Sequence, residues 1–227
     1  MGIAATLLFG SLARADHAGG SDTDLLMINL EDETRHVSVG HLSLFIYPWR
    51  QLVNDARMGD LFVCHLVHEA KALVDPDGYL LQLQKAFSFR ANYHDDIQRA
   101  SDLGWYLVRF GEDLNSRLLA KRVLWCVRTV LIARSAERRL PVFAPHRLAE
   151  ETRSEAALEI LRDRHYQRDD TRARQLLRAF LEAEVEPPRD LDSLSRQRFL
   201  EQFVATSNKV ALQTLRQEED SRNDYTG

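Results

Sequence analysis

The sequence contains few cysteines and no long apolar run, and each shortage excludes a class of protein. Cys64 and Cys126 are its two cysteines, and both lie in apolar, helix-like stretches. Two cysteines so far apart form neither a disulfide scaffold nor a CxxC motif, so we expect buried free thiols in a reducing cytoplasm. No apolar segment approaches the roughly 18 residues that a membrane-spanning helix needs. Residues 1–9 are apolar but short and lack a basic start, so we expect no signal peptide.

An excess of basic residues is also missing. The formal net charge is −4, and residues 1–89 carry six Lys or Arg against eleven Asp or Glu. A protein that coats nucleic acid needs a strongly basic surface, so we expect no non-specific nucleic-acid binding. An acidic first part instead suits a metal-binding half. With 44% hydrophobic residues, the chain can fill one large or two small cores.

Hydrophobic periodicity places strands at the start of the chain and helices after them. From residue 79 the period is helical almost to the end. The predicted strands are 3–9, 24–29 and 37–47, and the predicted helices are 48–59, 61–73, 79–89, 93–110, 114–138, 147–163, 171–184 and 193–217. The predicted fold class is therefore α+β, with a small mixed β-sheet lobe followed by an all-α helical-bundle lobe.

The stretch from residue 7 to 28 carries most of the chemical information. An apolar run ends at Gly10 and Ser11, a polar loop follows, and a second apolar run begins after Asp22 and Asp24. Residues two apart in a strand point to the same face, so the two carboxylates lie side by side and repel each other unless a cation is present. Mg²⁺ prefers such oxygen ligands, and Gly-Ser lets backbone N–H groups approach a phosphate. The plainer interpretation is a β-turn whose two acids are simply exposed to solvent.

The string LFGSLAR followed by SDTDLL resembles the signature of the minimal nucleotidyltransferases, in the superfamily of DNA polymerase β. That signature is a Gly-Ser followed about ten residues later by Asp-x-Asp at the head of a strand. The resemblance implies a nucleotidyltransferase domain over residues 1–90, whose usual N-terminal helix is missing or truncated. A helical domain over residues 91–216 and a flexible tail over 217–227 would follow.

The resemblance also implies a reaction. Similar proteins move a nucleoside monophosphate, most simply AMP from ATP, from a nucleoside triphosphate (NTP) to a protein, RNA or small-molecule acceptor. Asp22 and Asp24 would be the catalytic residues and the ligands of one or two Mg²⁺ ions. The residues expected to bind the nucleotide are Gly10, Ser11, Arg14 and Ser21. For Arg14, an ion pair with Asp16 or Asp22 is an equal alternative.

The family's third carboxylate, which the next strand normally supplies, is absent here. The corresponding segment, Leu42–Tyr47, contains no acid, and Ser43 occupies the expected place. Loss of a general base lowers a rate by roughly 10²–10⁴-fold. Either Glu31, Glu33 or Glu69 reaches into the site, or the site binds nucleotide and transfers poorly.

Three functions are therefore compatible with the sequence. The first is an active nucleotidyltransferase, for which the resemblance implies a partner in a toxin–antitoxin or phage-defence pair. The second is a catalytically degenerate fold that acts as a nucleotide-binding or partner-binding subunit. The third is an aminoglycoside-type antibiotic nucleotidyltransferase, which would need an acidic cleft for a polycation.

A second candidate metal site lies at His65, His68 and Glu69. These residues occupy positions i, i+3 and i+4 of a predicted helix and could present zinc ligands on one face. Their order differs from the HExxH and HxxEH motifs of metallopeptidases. The plainer expectation places His65 against the core and His68 at the surface.

The helical part carries a basic stripe of Arg117, Lys121 and Arg128 on the predicted helix 114–138, with Arg122 beside it. It is interpreted either as a wall that binds phosphates or, preferably, as a solvated face paired with Glu112 and Asp113. Within this helical part, the Arg-x4-6-His motif of the HEPN ribonuclease toxins can be matched only by Arg139 to His146, where two prolines intervene. Ribonuclease activity is therefore not expected.

Overall fold

A computed structural model describes residues 2–16, 22–31, 33–162, 169–188 and 190–224. The chain forms two compact units. The first runs to Asn92 and also includes Ala136–Ala144, and the second comprises Tyr93–Ser135 and the chain from Pro145 onwards. The first unit contains a mixed sheet with helices, and the second is helical, which confirms the predicted α+β class.

Five strands form one sheet in the first unit: β1 (Ile3–Phe9), β2 (Thr23–Asn29), β3 (Arg35–Val39), β4 (Leu42–Pro48) and β5 (Lys71–Val74). Their order across the sheet is β3-β4-β2-β1-β5. The pair β2–β4 is parallel and the other three pairs are antiparallel. The predicted strands at 3–9 and 24–29 are confirmed.

The single extended strand predicted over 37–47 is wrong, because this segment is the hairpin β3–β4. Gly40 has a φ of +57°, a left-handed conformation that reverses the chain between the two strands. Since β3 runs back along β4 in antiparallel fashion, β4 ends up parallel to β2 without a helical crossover.

Four helices belong to the first unit: α1 (Gly10–Arg14), α2 (Trp49–Arg57), α3 (Leu61–Glu69) and α4 (Tyr79–Ala86). The helix predicted over 61–73 ends early, at Glu69, and its last part is strand β5. Leu8 pairs with Lys71 and Leu7 with Ala72 in this strand. All four residues of β5 are exposed, so backbone pairing with β1 rather than side-chain burial holds them in place.

The core of the first unit forms between one face of the sheet and these helices. Leu7 on β1 pairs with Leu26 on β2, and both are fully buried against side chains such as Leu52 and Leu66. Phe9 pairs with Asp24 in the same register, so the Asp24 side chain lies on this helix-facing side of the sheet. The buried face thereby fixes the direction in which one predicted site residue points.

The described residues contain seven further α-helices: α5 (His94–Phe110), α6 (Ser116–Glu137), α7 (Pro145–Glu151), α8 (Glu155–Arg162), α9 (Asp170–Glu184), α10 (Arg196–Ala205) and α11 (Lys209–Asp224). Two predicted helices are each divided in two, at residues 152–154 and 206–208. Asn208 immediately precedes α11, and its side-chain oxygen accepts a hydrogen bond from the Ala211 backbone N–H. The helical pattern was expected to end near 217, and α11 instead extends to Asp224.

Candidate functional site

The turn between β1 and α1 brings backbone into contact with a carboxylate. Gly10 has a φ of +75°, and a Cβ atom added to it would lie 2.5 Å from Oδ2 of Asp24. Both the left-handed backbone and this close approach require glycine. Asp24 is the second residue of β2, and its side chain therefore packs directly against the start of α1.

The other sequence-predicted residues of this stretch lie around the same turn. Ser11 is half-buried in α1, and its carbonyl oxygen accepts a hydrogen bond from the Asp16 N–H that closes the helix. Asp22 immediately precedes β2 with a side chain that is 57% exposed, and the His41 ring lies 3.4 Å from its Oδ1. Ser21 falls outside the described residues.

The position next to Asp24 on the neighbouring parallel strand is Ser43, which is buried. The register thus places a hydroxyl, and not a carboxylate, beside Asp24 on this strand. Glu31 and Glu33 follow the far end of β2, and five residues of strand correspond to about 16 Å. Glu33 pairs there with Arg35. These two glutamates do not supply the missing acid.

Glu69, the third substitute considered, takes part in an ion-pair cluster. Its Oε2 atom accepts a hydrogen bond from Nη1 of Arg14 at 2.6 Å and one from Nε2 of His65 at 2.7 Å. Arg14 also donates from Nε to Asp16 at 3.1 Å. The pair with Asp16, one of the alternatives considered for Arg14, is thus present, and the pair with Glu69 links α1 to the end of α3.

The cluster shifts the pKa values of its members. Burial raises the pKa of Glu69, but the hydrogen bonds and charges of His65 and Arg14 outweigh burial and hold this pKa below its ordinary value. Burial likewise lowers the pKa of Arg14, and its bonds to Glu69 and Asp16 raise it above the usual value. The charged forms of Arg14 and Glu69 therefore stabilise each other.

The histidines of α3 face different partners, so they do not form the zinc site considered above. The His65 ring points to Glu69, is half-buried, and stacks on Phe143 with ring centres 4.5 Å apart. His68 is exposed and donates from Nδ1 to the Cys64 carbonyl oxygen at 2.8 Å. Among residues with described positions, no group of three or more His, Cys, Asp or Glu is arranged to hold a metal ion.

In the helical unit, the two acids considered as partners of the basic stripe each pair with an arginine of another helix. Glu112 pairs with Arg174 and Asp113 with Arg196, instead of with residues of α6. Arg122 is buried and donates to the side-chain oxygen of Gln217 at 2.9 Å, so it is no part of a solvated face.

The segment from Arg139 to His146 is not one helix. Arg139 follows α6 with a φ of +63°, and α7 begins at Pro145. The two residues of the apparent ribonuclease motif therefore lie on either side of a helix break.

Comparison with known proteins gives a distant likeness. No family model matches the chain, and no curated protein matches it. Within the part of the chain with described positions, no helix is long and apolar enough to cross a membrane. One solved structure that aligns is a nucleotidyltransferase-like protein from Exiguobacterium sibiricum 255-15, with a TM-score of 0.30 and 14% identity over 94% of this chain and 74% of that one. Both values are low, so the chain is only distantly similar to that protein.

Proposed function

We propose that the chain is a Mg²⁺-dependent nucleotidyltransferase that moves a nucleoside monophosphate from an NTP, with ATP as the first candidate. The observation that carries the proposal is the contact between the Gly10 backbone and the Asp24 carboxylate. Because Gly10 has no side chain, its backbone approaches the carboxylate this closely, and it would admit a phosphate to the same turn for the same reason. Asp22, two residues earlier and immediately before the strand, adds a second and more exposed carboxylate.

The donor set suits one Mg²⁺ ion. Two carboxylates together with substrate phosphate oxygens are the ligands that Mg²⁺ usually takes, and Asp22 and Asp24 would supply the two carboxylates. When bound, the ion would neutralise charge on the phosphates and help to activate the attacking hydroxyl. The Gly10 backbone and Ser11 would steady the phosphates. We assign Ser21 to the nucleotide site on sequence grounds alone.

Arg14 has a positioning role in this proposal. Its guanidinium group is held by Asp16 and Glu69, and the bond to Glu69 fixes α1 against α3. The turn that carries Gly10 and Ser11 is thereby anchored at its far end. Arg14 would contribute positive charge near the phosphates without leaving these two carboxylates.

A catalytically degenerate nucleotide-binding protein is the second candidate, and the register of the sheet favours it. Ser43 stands beside Asp24 on the parallel strand, so a hydroxyl replaces the third acid. A serine neither binds a second Mg²⁺ as a carboxylate does nor accepts the proton of the nucleophile readily. Binding of NTP without transfer would identify this case.

Calorimetric titration tests the nucleotide site. Each of ATP, GTP, CTP and UTP is titrated with and without Mg²⁺ into the wild type, Asp24→Asn, and the control Asp77→Asn. Asp77 is an exposed acid of the same unit, away from the site. We expect Mg²⁺-dependent binding that weakens at least about tenfold in Asp24→Asn, as loss of a charged contact predicts, and is unchanged in the control. Failure of every NTP to bind would contradict the proposal.

Transfer is measured separately. α-Labelled ATP is incubated with the protein and cell extract, and transfer of label to protein, RNA or small molecules is compared between the wild type and Asp24→Asn. Label that depends on Asp24 supports the active enzyme and reveals the acceptor class. Mg²⁺-dependent binding with no labelled product supports the degenerate alternative.

A further inference from the structure

A cavity of about 420 Å³ lies within the helical unit, beside α5 and α10. This size falls within the range of about 300–1,000 Å³ that is typical of small-molecule sites. Its buried lining consists of Asp102 and Trp105 from α5 and Phe199 from α10, with exposed fractions of 9%, 2% and 5%. The cavity thus combines a buried acid with two aromatic rings.

The Asp102 carboxylate has only neutral hydrogen-bond partners among the described residues. Gln98 donates from Nε2 to Oδ1 at 2.7 Å, and Gln202 donates to Oδ2 at 3.4 Å. Burial raises the pKa of Asp102 although both amides act in the opposite direction. Amide donors stabilise a carboxylate less than a cation does, so the charge is left incompletely compensated.

The rim of the cavity adds further negative charge. Glu186 and Glu201 are both exposed there. Arg198 is the one basic residue among the described lining residues, and its Nη1 donates to Oε2 of Glu201 at 3.1 Å. Three acids against one base leave the lining negative. The aromatic walls offer a surface that attracts cations and also accepts an apolar chain.

We propose that this cavity binds a small organic cation, in which an ammonium or amidinium group joined to a short apolar chain contacts Asp102. An anionic ligand is disfavoured because it would meet the buried carboxylate. A divalent metal ion is disfavoured because Asp102 is the one ligating side chain among the buried, described residues of the lining. The inference does not depend on the nucleotide site proposed above.

Three probes of equal chain length and different charge test the proposal by calorimetry: butane-1,4-diamine, butane-1,4-diol and succinate. We expect the diamine to bind at millimolar or lower concentration and the other two to bind at least about tenfold more weakly, because they lack the charge-assisted hydrogen bond. Equal binding of diol and diamine, tighter binding of succinate, or no binding of the diamine would overturn the proposal.

Asp102→Asn keeps the shape of the side chain and removes its charge, so we expect diamine affinity to fall at least about tenfold. Asp95→Asn is the matched control, because Asp95 is an exposed acid on the same helix and does not line the cavity. Loss of affinity in both variants, or in neither, contradicts a site at Asp102. If Asp102→Asn does not fold, the double variant Glu186→Gln/Glu201→Gln, which removes the two acids of the rim, tests the site instead. It should weaken diamine binding several-fold, and an unchanged affinity there rejects the site.

Discussion

Replacing Gly10 with alanine should destabilise the first unit through two separable effects. A left-handed backbone disfavours an L-residue by about 1–2 kcal/mol. The added Cβ atom would lie 2.5 Å from Oδ2 of Asp24, which must then move. Overpacking of this kind costs about 1–3 kcal/mol. We therefore expect a loss of about 2–5 kcal/mol in the free energy of opening of β1 and β2, measured by amide hydrogen exchange.

Gly78→Ala is the matched control. Gly78 has a φ of +69°, and a Cβ added there would meet no atom within 4 Å, so this variant reports the backbone effect alone. In an Asp24→Ala background the carboxylate is absent, and Gly10→Ala should then cost only the backbone term. Equal losses in Gly10→Ala and Gly78→Ala, or no relief from Asp24→Ala, would refute the contact between the turn and the carboxylate.

Two further predictions concern the acids of the first unit. Glu69→Gln removes the charge that binds Arg14 and should lower stability at pH 7 by about 1–3 kcal/mol. Because the pKa of Glu69 is lowered on folding, its contribution is present above the unfolded pKa and disappears as the pH falls through the folded pKa. In urea unfolding measured from pH 7 to pH 3, the free energies of unfolding of the variant and the wild type should therefore converge. A difference between them that does not depend on pH would contradict this reasoning. Ser43→Asp places a second carboxylate beside Asp24 on the adjacent strand. Without Mg²⁺, we expect the melting temperature of Ser43→Asp to lie below that of the wild type. Addition of Mg²⁺ should raise the melting temperature of Ser43→Asp more than that of the wild type or of Ser43→Asn. An equal increase in Ser43→Asp and Ser43→Asn would count against metal binding there.

The sequence predicted correctly the strands that are almost entirely apolar and that border polar residues or turns. The strands 3–9 and 24–29 are near-continuous apolar runs, and both are confirmed. Strand β5 was missed because Leu66, Glu69 and Leu73 keep a helical spacing while the strand itself buries nothing. Its existence depends on a partner strand about 65 residues earlier, which local periodicity does not encode.

In the candidate site, too, the sequence predicted the contacts between nearby residues and missed those between distant ones. Local spacing predicted that Asp22 and Asp24 accompany Gly10, and the Gly10–Asp24 contact is formed across a short antiparallel pair. The bond from Arg14 to Glu69 joins residues 55 positions apart, and Phe143 reaches His65 from still farther along the chain. Such contacts follow from how the elements pack, and a single sequence carries no local signal for them.

The return of residues 136–144 to the first unit makes that unit discontinuous in the chain. A fragment that ends at Asn92 would lose Phe143, whose ring covers His65, and Arg139, which donates to the Arg90 carbonyl oxygen and lies over the Phe89 ring. Recombination that cut the gene at this point would separate the sheet from side chains that complete it. The first unit therefore cannot be moved into another protein as residues 1–92 alone. A transplanted version must also include α5 and α6, which lead to residues 136–144, or must replace the contacts that residues 136–144 make.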